Sequence, residues 1–438
     1  MSSAGARTIP LLHALGLVVA NMIGTGIFTT TGLLAEELRD PLWILGAWLL
    51  GGVLALCGAD VYAELGAMMP RAGGEYVYLS RAIHPAAGFL SGWVSLIVGF
   101  SAPIAASAIA FASYVAAALP AVPRRPAALG LIAVVTILHM ASVRWGSRVQ
   151  TVFTAAKIAL LVSFVIAGLV VGRGPWEHFA LGGGPPTPSR LAVALIFVSF
   201  AYSGWNGAAY IAGELKAPGK NLPRALLGGT AAVVMLYLAL NVVFLYALPP
   251  PAMAGEIEVG HVAALSLFGP TAGSILSLLI AVALVSSVSA MIMAGPRVYL
   301  AMAEDGLFFR PFARRGRRSG APCASVALQG GIAIVLALSA TFDQLLVYIG
   351  FTLSVFAALT VLAAFVLRSR APDAPRPYRA RGWPVSPVLF LLLSLWMATY
   401  AIVTRPAESL AGIVTLAVGL ALYWVRRRPA AMRSDSHV

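Results

Sequence analysis

The chain has 438 residues, of which 60% are hydrophobic and 11% charged, against about 25% charged in a soluble domain. This excludes a soluble protein of the same length, and at ~20 apolar residues per spanning helix it suffices for about a dozen spans and short loops. The net charge of +14 would draw a soluble protein to nucleic acid. Here the basic residues stand in short loops between apolar runs, so the expected partner is a lipid bilayer and not nucleic acid.

Twelve apolar segments are predicted, at 9–35, 41–67, 85–119, 126–143, 149–172, 190–214, 225–249, 259–303, 321–341, 343–367, 383–404 and 407–425. The N-terminus leads into the first without a small-residue cleavage site and is read as a span, not a signal peptide. Segment 1 carries Asn21-Met22-Ile23-Gly24-Thr25-Gly26-Ile27-Phe28 at its middle. Segment 2 places Asp60 and Glu64 one turn apart on one face, suited to pairing with loop arginines or to a proton relay. Segments 3 and 8 exceed a minimal span and are expected to tilt or to run on into the interface. Lys157 is the sole charge of segment 5, roughly 12 Å from its end at 1.5 Å per residue. Segment 6 carries Phe200-Ala201-Tyr202-Ser203-Gly204-Trp205-Asn206-Gly207.

An even number of spans puts both termini on one side. The loops on that side hold 22 basic residues and the alternate loops 6, which places both termini in the cytoplasm. The run Arg314-Arg315-Gly316-Arg317-Arg318 belongs to this bias and suits anionic lipid. Cys57 and Cys323 give neither a metal spacing nor a disulfide framework. His13 and His139 stand apart from carboxylates and thiols, so no metal or cofactor is expected. The spans contain no nucleophile–base pair and no phosphate loop, and an enzyme is not expected.

The glycine-bearing middles of segments 1 and 6 lie five segments apart. Five is odd, so the second unit starts from the opposite face, as in an inverted repeat. The expected division is 1–172 for the first repeat, 173–367 for the second, and 368–438 for two further helices and a tail. Glycine-interrupted spans at matching places in two halves point to a transporter site. A break frees backbone N–H groups at one new end and C=O groups at the other, and these orphans survive only inside protein or beside a wet cavity. The N–H end suits a carboxylate and the C=O end an ammonium. The interiors of segments 1, 3 and 6 and the centre of segment 8 contain no Asp, Glu, Lys or Arg, so the fitting ligand is a neutral α-amino acid. Close helix packing is the alternative use of these glycines.

Phe200 fits a gate over the substrate, while Tyr202 and Trp205 fit helix packing. Asn206 has the chemistry to bond the freed backbone of its own break. The Lys157 ammonium is within reach of carbonyls near Ile23 and of the hydroxyls of Ser286, Ser287 and Ser289, where it would replace a sodium ion. A buried ammonium is also open to proton release, and snorkelling to headgroups is its bland alternative.

IGTGIF in segment 1, PRAGGEYVYLSRA at 70–82, FAYSGWN in segment 6, ELKAPGKNLPRAL at 214–226, AMAEDGLFFRPF at 301–312 and RPYRARGWPVSP at 376–387 occur in that order. Together they resemble the amino acid–polyamine–organocation superfamily, and within it most closely the bacterial L-type amino acid transporters. The resemblance implies an all-α integral membrane fold of the LeuT type, with 12 transmembrane helices in a 5+5 inverted repeat plus two, helices 1 and 6 being discontinuous. It implies that Gly24, Thr25 and Gly26 hold the substrate carboxylate, that carbonyls of Met22, Phe200 and Ser203 hold the ammonium, and that Ile23, Ala201 and Gly204 complete the site. Phe200 is the implied outer gate, and Lys157 the residue that makes sodium unnecessary. Ser203 stands where many relatives have glycine, which narrows the pocket. The loop at 120–125 lacks the cysteine by which animal relatives join a glycoprotein, so no disulfide-linked heavy chain is expected. The expected function is sodium-independent transport of neutral amino acids in the inner membrane, with exchange favoured over proton-coupled symport and over a sensor that binds without flux.

Overall fold

The computed structural model describes residues 8–71, 73–141, 147–180, 182, 184–304, 306–314 and 322–434. Of the arginine run, Arg315, Arg317 and Arg318 lie outside the described residues, as do Arg7 and Arg144. Among the described residues the chain is helical, and its one isolated β-bridge joins Ile9 to Leu215.

Segment 1 folds as α1 (Leu11–Met22) and α2 (Gly26–Leu38), and segment 2 as α3 (Pro41–Met68). A short helix, α4 (Glu75–Ala82), follows in the loop. Segment 3 is α5 (Pro85–Val94) and α6 (Ala102–Ala118), joined through the π-helical stretch Ser95–Ser101. Segments 4 and 5 are α7 (Arg124–Ala141) and α8 (Ser147–Val170). Segment 6 is α9 (Pro188–Tyr202) followed by a 3-10 helix, Gly207–Glu214. Segment 7 is α10 (Pro218–Ala247), with the single turn α11 (Pro250–Met253) after it. Segment 8 comprises α12 (Val259–Phe268) and α13 (Pro270–Glu304), and segment 9 is α14 (Cys323–Ser339). The last three are α15 (Phe342–Arg370), α16 (Val385–Thr404) and α17 (Pro406–Ser434).

Local chemistry sets these boundaries. Helices α3, α5, α9, α10, α13 and α17 open on proline, whose missing N–H is one of the orphans of a first turn and whose φ is already helical. Asp40 caps α3 by accepting from the N–H of Leu42 (2.8 Å) and Trp43 (3.1 Å). Thr341 and Gln344 form a reciprocal capping box at the start of α15, which satisfies two donors at once.

Among the described residues ten helical stretches are long and apolar enough to cross a membrane, counting α5 through α6 as one and α9 with its 3-10 continuation as another, and eleven spans result if the bent pair α1–α2 is one span. Segment 9 is apolar but its helix has 17 residues, slightly short of that length. The protein is thus a multi-pass membrane protein. Helices α3 and α10 pack at the centre, against α1, α2 and α9. Helices α7, α8 and α16 lie outside and show large apolar side chains such as Ile137, Ile166 and Leu395, the surface that lipid solvates without penalty.

Contacts between loops respect the alternation of the segments. On the face where the described chain begins, Ile9 bonds Glu214, Glu64 meets Arg368, and Arg370 reaches the carbonyl of Ala82. On the opposite face Arg405 meets Glu37 and Asp343, Arg124 meets Glu258, and Gly255 bonds the carbonyl of Gly32.

Candidate functional site

Helices α1 and α2 are separated by residues 23–25 and bent by 42°. Ile23 closes α1 with its N–H on the carbonyl of Val19 (3.0 Å). The Gly24 amide meets the Tyr237 hydroxyl, and the amides of residues 25–27 open α2 with no preceding turn to bond to. In segment 6, α9 ends with the N–H of Ser203 on the carbonyl of Phe200 (3.0 Å). Gly204 follows at φ +96°, a conformation that strains any residue with a Cβ, and the 3-10 helix begins at Gly207.

The two interruptions touch. A Cβ at Gly26 would collide with the Cα of Ala201, and one at Gly204 would lie 2.7 Å from the carbonyl oxygen of Asn21. Gly26 therefore serves close packing, the alternative weighed for these glycines. Gly24 does not: a Cβ there would find only the Met22 carbonyl, at 3.9 Å. Gly24, Ser203 and Gly204 are half-buried and Asn21 is exposed, whereas Thr25, Gly26, Phe200 and Ala201 are buried. The freed backbone is thus more accessible toward the face where the described chain begins, with Phe200 buried beyond it.

Thr25 turns its hydroxyl to Ser107 on α6 (2.5 Å). The carbonyl of Met22 already accepts from the Tyr237 hydroxyl on α10 (2.6 Å). Each carbonyl keeps a second lone pair, so Met22 and Phe200 can still receive an ammonium, but along fixed directions. Tyr202 stacks on Tyr237 at 5.3 Å between centroids, and Trp205 stands edge-on to Tyr62 at 4.7 Å, both as helix packing. Asn206 does not bond its own break; its side-chain amide donates to Glu75 (3.0 Å).

Lys157 is 5% exposed and donates to the Ser287 hydroxyl on α13 at 2.7 Å, so it does not snorkel. Among the described residues it makes no bond to the carbonyls around Ile23. Ser289 meets His139 instead (2.8 Å), and the buried Ser286 hydroxyl has no hydrogen-bond partner among the described residues. His13 is exposed. Glu64 pairs with Arg368 and Arg376, while Asp60 accepts from Tyr378 (2.7 Å), Ser386 and the backbone of Arg381 and Gly382. Among the described residues no group of three His, Cys, Asp or Glu is placed to hold a metal.

Sequence reasoning missed Ser107, Tyr237 and Asn241. Asn241 accepts from Thr31 (2.5 Å) and donates to the carbonyl of Tyr237 (2.8 Å), so α10 grips segment 1 on both sides of its bend. Polar side chains inside an apolar run were the available signal.

A family model described as "Amino acid permease" matches residues 9–422. The chain is 30% identical over 434 residues to the serine/threonine exchanger SteT of Bacillus subtilis (strain 168), covering 97% of this chain and 98% of that protein. It is 29% identical over 435 residues to the large neutral amino acids transporter small subunit 2 of Homo sapiens, covering 96% and 80%. Against the b(0,+)-type amino acid transporter 1 of Mus musculus the identity is 29% over 431 residues, covering 96% and 88%.

Proposed function

The chain belongs to the amino acid permease family of the amino acid–polyamine–organocation superfamily, and from this premise we propose that it exchanges neutral L-amino acids across the cytoplasmic membrane without sodium. It is an amino acid transporter and not an enzyme. The observation that carries the finer reading is the meeting of the two non-helical turns, Gly26 on Ala201 and Gly204 on Asn21. One turn offers N–H groups at residues 25–27, and the other, with Met22, offers carbonyls, so a zwitterion is held without a charged side chain. Met22, Ile23, Gly24, Thr25 and Gly26 form one wall; Phe200, Ala201, Ser203 and Gly204 form the other. Phe200 closes the site on the outer side. The Ser203 side chain narrows it toward small substrates such as alanine or serine.

Lys157 takes the role of a fixed cation between α8 and α13, with Ser287 as its partner and Ser286 and Ser289 beside it. This supports transport without sodium. In this reading segment 9 completes twelve spans, segments 1–5 (1–172) and 6–10 (173–367) are inverted repeats, segments 11 and 12 (368–438) are appended, and both termini are cytoplasmic. No disulfide-linked partner is needed, since residues 120–125 contain no cysteine.

The test is uptake of labelled L-alanine and L-leucine into sodium-free proteoliposomes. We expect uptake to require preloaded amino acid and no proton gradient. Uptake into empty vesicles driven by a proton gradient would replace exchange with proton-coupled symport, the second reading, favoured by the burial of Lys157. Binding without flux would mark a sensor. Lys157→Ala should abolish most transport while leaving a monodisperse, folded protein; normal kinetics in that variant would remove its assigned role.

A further inference from the structure

A cavity of about 400 Å³ lies on the face opposite the described beginning of the chain, the outer face in the reading above. Pockets for small ligands span about 300–1,000 Å³, with mostly apolar walls and a few placed polar groups. Leu33, Phe197 and Phe342 give this cavity buried apolar walls, and Glu36, Glu37, Asp343 and Arg405 give it charge. Its place is set by α2 and α9, which pack together. Phe197 is one turn from Phe200 on α9, and Leu33 is two turns beyond Gly26 on α2, roughly 10 Å at 1.5 Å per residue. The cavity therefore stands beyond Phe200, on the route between the outer face and the two turns.

One guanidinium is divided here between two carboxylates. Arg405 Nη2 lies 3.4 Å from Glu37, and its Nη1 lies 3.4 Å from Asp343, longer than the about 2.7–2.9 Å of a well-made bond between charged groups. A guanidinium has five donors, so Arg405 has capacity to spare. The Glu36 carboxylate has no ion-pair partner among the described residues. An anion that took Arg405 would strand all the carboxylates of the cavity. A simple cation would leave Arg405 in its two long contacts. A zwitterion does better than either, because its carboxylate forms a bidentate pair with Arg405 while its ammonium serves the carboxylates released. The net charge of the cavity is then unchanged. Glu37 and Arg405 are close enough for the two charges of an α-amino acid, one carbon apart, to meet both.

We propose that this cavity is a second site for zwitterionic α-amino acids, which receives the ligand on the outer side of Phe200. Arg405 takes the carboxylate, and Glu36 with Glu37 takes the ammonium. Drawing Arg405 from Glu37 and Asp343 also unties the end of α2 from the start of α15, so arrival of the ligand favours an open mouth. The link to transport rests on the reading that the turns at residues 23–25 and 203–206 hold substrate, whereas binding in the cavity stands apart from it.

The test places a thiol in the cavity. Ile257 lines it from the loop between α11 and α12, so Ile257→Cys is made in the full-length chain together with Cys57→Ser and Cys323→Ser. Spheroplasts carrying this protein are labelled with a membrane-impermeant thiol reagent. External L-alanine should slow labelling several-fold, whereas propionate and ethylamine, with one charge each, should not. Adding Glu36→Gln, at an exposed position, should remove most of the protection and raise the external KM for L-alanine several-fold at unchanged turnover. Gly24→Leu separates the two sites, since a side chain at Gly24 finds only the Met22 carbonyl within 4 Å and would fill the space at the first turn. It should stop transport and keep the protection. Protection lost in Gly24→Leu, kept in full in Glu36→Gln, or matched by propionate or ethylamine would overturn the proposal, as would a thiol that the external reagent does not reach. Transport unimpaired in Gly24→Leu, with protection intact, would instead refute the site at the two turns and leave the outer site standing.

Discussion

Charged clusters tie the helices together on both faces, but they are built differently. On the face where the described chain begins, the Glu64 side chain is 2% exposed and receives the Arg368 guanidinium through Nε (2.9 Å) and Nη2 (2.5 Å). It also accepts the N–H of Ala380 (2.7 Å) and faces Arg376 at 3.5 Å. Arg376 spends its other donors on carbonyls at the end of α15, including Leu367 and Ala371. On the opposite face Arg405 lies 3.4 Å from Glu37 and from Asp343, and Arg190 lies 4.0 Å from Glu37, with side chains 18–44% exposed. Glu37, Asp343 and Arg405, with Glu36 and Phe342, border a cavity of about 400 Å³. The first cluster is largely buried and rich in short hydrogen bonds, so it holds α3 to the loop before α16 as one body. The second is long and wet, so it can part at little cost. A transporter needs both, a frame that stays together and a mouth that opens.

The sharpest way to break this contrast is at Glu64. Glu64→Ala leaves two guanidinium groups and a buried N–H without their acceptor, and removing one member of a buried pair costs about 3–5 kcal/mol. We expect a large drop in the detergent melting temperature, or no folded protein at all. A drop no larger than that of a surface variant would mean the two clusters are equivalent.

Asp60→Asn sharpens the same point with a smaller effect. Asp60 takes Tyr378 and Arg381 N–H on one oxygen and Gly382 N–H and Ser386 on the other. Asparagine keeps one oxygen and sets an NH₂ against the remaining donors, at a cost of about 1–3 kcal/mol. The measurement is thermal unfolding, with substrate binding unchanged in the protein that remains folded.

The asymmetry between the clusters was only half legible in the sequence. The spacing of Asp60 and Glu64 and the excess of loop arginines foretold pairing, because charge beside a membrane span has few other partners. Which arginines, and that Asp60 would take backbone N–H groups from the 381–382 turn, depended on a loop fold that no periodicity encodes. The turns at residues 23–25 and 203–206 were legible because glycine pairs interrupt apolar runs. Their contact through Gly26 and Ala201 was not, since it joins residues 175 positions apart. Asn206 was misread for a related reason: its partner, Glu75, comes from a distant loop. On the opposite face, Glu37, Asp343 and Arg405 each end a different segment, and nothing local marks them as neighbours.

The smallest expected effect lies in that mouth. Arg405→Ala removes two contacts at 3.4 Å from side chains about a third exposed, and such pairs contribute about 0–1 kcal/mol. Stability should hardly change. What should change is the balance between closed and open mouths, because Arg405 bridges the end of α2 to the start of α15. A shift of that size is at most about fivefold in a two-state equilibrium, and it should be read in the external KM for L-alanine, not in the melting curve. Salt supplies an independent arm. Exposed charges are screened at high ionic strength, where the Debye length falls to about 3 Å at 1 M. The native protein in high salt should therefore approach the Arg405→Ala value, and the variant should respond little to salt. If Arg405→Ala instead melts as Glu64→Ala does, the opposite face is a second frame, and the opening motion has to be sought in other contacts.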